Sequence, residues 1–354
     1  MPSKANSHGK KVEDKLKALR AEFSDYENAV TMISSFEAWV EHEWGTEGKQ
    51  GSHLVRFDRF PVLDGNLTPD FLAEFDTPYV ICGEHKKNYH PASDDRDQVI
   101  SYSNWQPKGS PPPAHDVLLL VGTHCDNVAA DDIYGEKKKP EPLANVVIVG
   151  FFRDSERVNG EWFDLKWRDH GGKNRMFSKP NVTNNRAEDD LNALLADQSH
   201  CSIQVVKPAI DLSGRNPLIN DEPPPLYTVI RIILPAINEL LTEADRDMLA
   251  SARRVEKTLL RSDLLSTDIT RSLKRREKTV QKALDFLVKI GQARKVRATD
   301  PSQYVLALDL KVLRSDPLEL LSRKAAIALV PRGVEPKGRR GKVRDVKGQR
   351  KLFE

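Results

Sequence analysis

Pro69-Asp70-Phe71-Leu72-Ala73-Glu74-Phe75-Asp76-Thr77-Pro78-Tyr79-Val80-Ile81-Cys82-Gly83-Glu84-His85-Lys86 is the stretch on which the fold turns. Phe71 to Phe75 and Tyr79 to Lys86 carry strand-forming residues on either side of the turn residues Asp76-Thr77-Pro78, so the segment reads as a β-hairpin. Glu84 and Lys86 are two apart on one strand and leave the same face, together with Val80 and Cys82. His85 leaves the other face. The direction of Asp70 depends on the loop. A three-residue loop pairs Asp70 with Glu84 and sets two carboxylates side by side. A two-residue loop pairs it with Gly83 and turns it away, unless Pro69 bends the strand.

Upstream, residues 10 to 23 and 25 to 44 read as two helices. In the second, Tyr26, Val30, Ile33, Val40 and Trp44 form one apolar stripe, Glu37 lies within it, and Gly45 is a stop signal. His53 to Phe57 is a strand. Downstream of the hairpin, a helix is expected from near Asp94 to before Pro107, then a proline-rich loop. Val117 to Gly122 and Val146 to Phe152 are β-branched runs suited to buried strands, separated by a charged loop around Lys137 to Pro142. Trp162 to Trp167, Ile203 to Val206 and Thr228 to Ile233 read as further strands, and Ala187 to Ala196 as a helix. Pro223 to Pro225 reads as a linker or a buried loop.

Two adjacent carboxylates repel each other, yet they make a hard-oxygen site for Mg²⁺, with Mn²⁺ as an alternative. Such an ion neutralises phosphate charge and lowers the pKa of a bound water, which is what phosphodiester hydrolysis requires. A lysine on the same face, Lys86, can stabilise developing charge and orient or help deprotonate the water.

This pattern resembles the PD-(D/E)xK nuclease superfamily. The resemblance covers roughly residues 25 to 150 and implies an α/β, restriction-endonuclease-like mixed sheet flanked by helices, in the order α-β-β-β-α-β. It implies Asp70 and Glu84 as metal ligands and Lys86 as the catalytic lysine. It also implies an acidic residue on the first core helix, best matched by Glu37 with Glu41 as the alternative. Gln98-Val-Ile-Ser-Tyr102 fits the QxxxY pattern of RecB-like members, whose i,i+4 spacing puts both residues on one helix face, with Gln98 holding phosphate or the attacking water.

From Leu241 the sequence turns basic: 28 Lys and Arg against 15 Asp and Glu, while residues 1 to 240 are net acidic. A helix from Thr242 to about Leu260, a short helix through Leu273, a third from Lys278 to Ile290, and a hairpin of Ala293 to Arg297 and Tyr304 to Leu308 give the order of a winged helix. Lys278, Thr279, Gln281 and Lys282 are then expected in a major groove, Arg275 and Arg276 on phosphate, and Arg294, Lys295 and Arg297 on the wing. The domains expected are a helical extension over 1–24, a nuclease-like domain over 25–234, a winged helix-turn-helix over 241–313 and a basic, disordered tail over 331–354.

No apolar run approaches the about 20 residues that a bilayer span needs, and no secretory core follows Met1, so a cytoplasmic protein is expected. Cys82, Cys125 and Cys201 lie far apart and read as reduced thiols. The expected partner is DNA, with a protein partner through the winged helix or the acidic region as an alternative, and a dimer left open. Metal-dependent DNA cleavage in restriction, transposition or repair is the first expectation. A DNA-binding regulator or recruiting module with an inactive nuclease fold is the second.

Overall fold

The computed structural model describes residues 4–45, 53–59, 61–91, 94–109, 111–135, 143, 145–156, 160–168, 201–206, 218, 222–251, 254–271, 273, 276–297, 300–309 and 317–331. The protein is α/β. A seven-stranded mixed sheet runs in sequence order: β1 (Leu54–Arg59), β2 (Phe71–Phe75), β3 (Tyr79–Lys86), β4 (Ala114–Gly122), β5 (Val146–Asp154), β6 (Trp162–Arg168) and β7 (Ser202–Gln204). β3, β4 and β5 are mutually parallel and the other neighbours antiparallel. α2 (Asp95–Asn104) and α3 (Asp126–Tyr134) supply the crossovers between the parallel strands, which a hairpin turn cannot make.

The two faces of the sheet carry separate cores. Tyr79, Ile81, Leu118, Leu120, Val147 and Val149 pack beneath α1 (Lys4–Trp44). Val80, Cys82, Val117, Leu119, Val121 and Ile148 pack beneath α2 and α3. Burial on both sides explains why β4 and β5 read as unbroken apolar runs. α3 comes close enough to β5 that a Cβ on Gly150 would lie 2.6 Å from Asp126 Oδ2. That same oxygen accepts from Arg168 of β6 at 2.5 Å.

α1 is a single helix, where the sequence suggested two. Ser24-Asp25 contains neither Gly nor Pro, and the buried stripe of Leu19, Phe23, Tyr26 and Val30 runs on either side of it and carries the helix across. The run Thr228 to Ile233 is a correction: it lies inside a helix, α4 (Pro225–Glu239), whose middle, Val229–Ile233, is widened to π geometry. Pro225 opens this helix, and Pro235, which has no N–H to donate, follows the widened turn. α4 is buried on nearly every side, so its β-branched residues report burial rather than a strand.

The C-terminal third comprises α5 (Glu243–Ser251), β8 (Arg254–Leu260), α6 (Arg261–Ser266), α7 (Asp268–Arg271), α8 (Arg276–Lys289), β9 (Ala293–Arg297), β10 (Asp300–Asp309) and α9 (Pro317–Leu329). The expected helix up to Leu260 is corrected: it stops by Ser251, and Arg254–Leu260 is a strand paired along β10, with Leu259 opposite Tyr304. The second sheet has the order β8-β10-β9. α4 packs on both α1 and α8, and α9 packs on α1, so the described core continues across the boundary expected near residue 240. Among the described residues no single helix is long and apolar enough to cross a membrane. The expected helix at 187–196, the charged loop at 137–142 and the tail from 332 lie outside the described residues.

Candidate active site

The hairpin has the three-residue loop. Phe71 pairs with Gly83 and Phe75 with Tyr79, and one residue before the ladder Asp70 N–H donates to the Gly83 carbonyl at 3.0 Å, which brings Asp70 to the end of β3 that carries Glu84, both within reach of Cys82. Both carboxylates are buried. Asp70 Oδ2 accepts the His85 N–H at 2.8 Å, so the strand itself fixes one of its oxygens. Lys86 Nζ lies 2.9 Å from Glu84 Oε1 and 3.6 Å from Asp95 Oδ1. Burial pushes the Lys86 ammonium pKa down, but Glu84, Asp95 and Asp70 outweigh this and hold it above the ordinary lysine value. Lys86 is therefore a cation at neutral pH, suited to stabilising negative charge rather than to taking a proton.

Gln98 and Tyr102 share one face of α2, and Gln98 Nε2 donates to the Tyr102 hydroxyl at 2.7 Å. Burial first, then the field of Glu84, pushes the Tyr102 phenol pKa up, and the same two causes act on the Cys82 thiol. Both therefore stay neutral, and both belong to the pocket of the carboxylates. Asp95 was missed. It opens α2 and its Oδ2 accepts the His90 N–H at 3.0 Å. The i, i+3, i+7 spacing of Asp95, Gln98 and Tyr102 is the signal that could have found it.

Glu37 goes elsewhere. Arg59 lies across from Phe71 in the β1–β2 pairing, on the sheet face that α1 covers, and there its guanidinium pairs with Glu37 and donates to Ser34 Oγ at 3.1 Å. Asp70 and Glu84 look toward α2 and α3. Glu37 thus neutralises a buried arginine under α1, a structural role that corrects the catalytic one expected. His124 and Cys125 lie in the turn before α3. Cys125 Sγ there accepts the Tyr89 N–H at 3.3 Å.

On the C-terminal module, Lys278 is exposed and Thr279 half-buried at the start of α8. Gln281 is held inside the module by Arg261, Asp285 and the Tyr304 hydroxyl, which corrects its expected place in a groove. Lys282 pairs with Glu222, Lys295 with Asp285 and Arg294 with Glu256. Arg275 lies outside the described residues, as do the side chains of Arg276 and Arg297.

Among the described residues no group of three or more His, Cys, Asp or Glu side chains stands ready for a metal. The donor set is two carboxylates, which suits an ion that keeps several of its waters and takes the rest of its ligands from substrate phosphate. Compared with protein-family models, with curated proteins and with solved structures, the chain matches none.

His85 yields a prediction about pH. Its ring packs on Phe151 with centroids 5.0 Å apart, and burial, reinforced by Lys86, lowers its pKa to about 4. Between about pH 6.5 and 4 the unfolded chain binds a proton there and the folded chain does not. Stability is thus complete above about 6.5 and falls as pH drops toward 4, by up to about 3 kcal/mol. In urea titrations, His85→Gln is expected to lose less stability than the wild type across that window; parallel losses would contradict the assignment.

Proposed function

We propose that the protein is a metal-dependent DNA endonuclease. The observation that carries this reading is that Asp70, at the entry to β2 and bonded to Gly83 and His85, lies at the end of β3 that carries Glu84 and Lys86, within an α-β-β-β-α-β order. The parallel pairing of β3 with β4 further supports a restriction-endonuclease-like core. Asp70 and Glu84 would hold Mg²⁺ or Mn²⁺. When bound, the ion supplies charge neutralisation at the scissile phosphate and a water of lowered pKa. Lys86, cationic and held between Glu84 and Asp95, stabilises charge developing on the phosphate. Gln98, oriented by Tyr102, presents an amide to phosphate or water. The test is cleavage of plasmid DNA with Mg²⁺ or Mn²⁺, expected to vanish in EDTA.

The C-terminal order helix, strand, helices, strand, strand, with a β8-β10-β9 sheet, supports a winged helix that delivers DNA. A second reading, recruitment of a protein partner, is favoured by one observation: Gln281, Lys282, Arg294 and Lys295 all have partners within the chain. Exposed pairs are weak and exchange readily for phosphate, so DNA binding remains the first reading. Lys278→Ala is expected to weaken DNA binding uniformly across sequences and to reduce the slope of log K against log salt by about 1. An unchanged slope in Lys278→Ala and Arg294→Ala would favour the protein-contact reading.

A further inference from the structure

An open cleft of about 570 Å³ lies on the same side of the sheet as Asp70 and Glu84, toward the turn end of the hairpin. Asp70, Leu72 and Glu74 alternate to one face of the β2 segment, so the floor of the cleft begins at Leu72, about 7 Å along the strand from Asp70. Arg56 and Asp58 of β1 complete the floor, and the connection after β1 and the segment after α2 form its walls. On the second wall stands Trp105. Its ring meets His115 edge-on, with centroids 5.6 Å apart. His115 Nε2 lies 3.2 Å from Asn145 Nδ2, which also donates to the Ser103 carbonyl at 3.1 Å, so the indole is braced from behind.

On the floor, Arg56 lies 3.2 Å from Asp58 and 2.6 Å from Glu74, and about half of its side chain is exposed. The cleft thus sets a braced aromatic plate beside a guanidinium fork flanked by carboxylate acceptors. An unstacked nucleobase needs those features: a π-face to stack on and partners for the polar atoms of its edge. Guanine fits this set best. Its O6 and N7 accept from an arginine fork while its N1–H and N2 amino group lie side by side to donate to one carboxylate; an unpaired cytosine can meet the fork with N3 and O2, but cytosine, adenine and thymine each offer the acid a single donor group.

We propose that this cleft is a guanine-selective base subsite for the strand whose phosphodiester reaches Asp70 and Glu84. The inference rests on the nucleic-acid reading above. It assigns Glu74 and Arg56 to base recognition and Trp105 to stacking.

The test is anisotropy of short labelled thymidine strands carrying one central guanine, inosine, adenine or cytosine, titrated with the full chain in EDTA so that no strand is cut. The guanine strand is expected to bind about tenfold more tightly than the all-thymidine strand, and inosine, lacking the 2-amino group, to lose most of that advantage. Glu74→Gln, an isosteric change, is expected to erase the guanine advantage and leave the all-thymidine affinity within about twofold, whereas Trp105→Ala weakens every strand. Equal affinities across the series, or a guanine advantage that survives in Glu74→Gln, would overturn the proposal. Plasmid cleavage, measured separately, keeps the two readings apart. Cleavage without guanine preference removes the subsite and leaves the nuclease; guanine preference without cleavage does the reverse.

Discussion

Asp70→Asn is expected to reduce DNA cleavage at least about 100-fold while leaving the melting temperature unchanged or higher. The two effects have one cause. Asp70 and Glu84 are both buried at the same end of the hairpin, where two carboxylates repel each other and Lys86 offsets them. Asparagine keeps a carbonyl oxygen for the His85 N–H but removes the charge. What the metal needs and what the fold tolerates are therefore opposed at this position, as active sites commonly require. Lys86→Met should lose cleavage comparably but move stability the other way, because Glu84 and Asp95 lose their shared cation, at about 1–3 kcal/mol. Mg²⁺ is expected to raise the melting temperature of the wild type and not of Asp70→Asn, a linkage measurable without any substrate. Full cleavage by Asp70→Asn in Mg²⁺ would overturn the proposed chemistry.

Gly83→Ala should be among the most damaging single substitutions in the chain. A Cβ at Gly83 would lie 1.9 Å from the tip of the Phe71 ring. That ring has little room to retreat, being stacked on Phe57 at 5.0 Å and tilted against Phe36 at 5.3 Å. Overpacking of this kind costs about 3 kcal/mol or more, a fall of roughly 10 °C in melting temperature. The displaced strand also carries Glu84, so activity should fall with stability. Phe71→Leu in the same chain relieves the clash, and thermal melts of the two single variants and the double should show strong coupling; additive losses would argue against it.

The hairpin was legible because it is local: turn residues, alternation and an E-x-K spacing lie within one short stretch of chain. Its register stayed open until the pairing of Phe75 with Tyr79 resolved the loop length. Glu37 shows the limit of such a reading. The apolar stripe of α1 revealed that Glu37 points inward, but which sheet face it meets depends on Arg59, which reaches it only through the pairing of β1 with β2. Arg254–Leu260 misled for a similar reason, since its strand character is conferred by β10, more than forty residues away. In Val229–Ile233, burial of every residue but Arg231 makes helix and strand look alike in sequence. Gln281 faced outward on a helical wheel, yet the Tyr304 hydroxyl, which no local pattern announces, draws it in.

The packing of α9 on α1 also sets an order of assembly. Arg20 donates to Ser322 at 3.2 Å across 302 positions of sequence, so this contact closes one of the longest loops in the molecule. During synthesis α1 emerges early, while α9 emerges only after the whole sheet and the second module. Until then, the part of α1 that α9 covers stays open to water and to other chains. Trimming α9 would leave that gap permanent, and the expected symptom is aggregation of nascent chains rather than a defect in the chemistry of the finished protein.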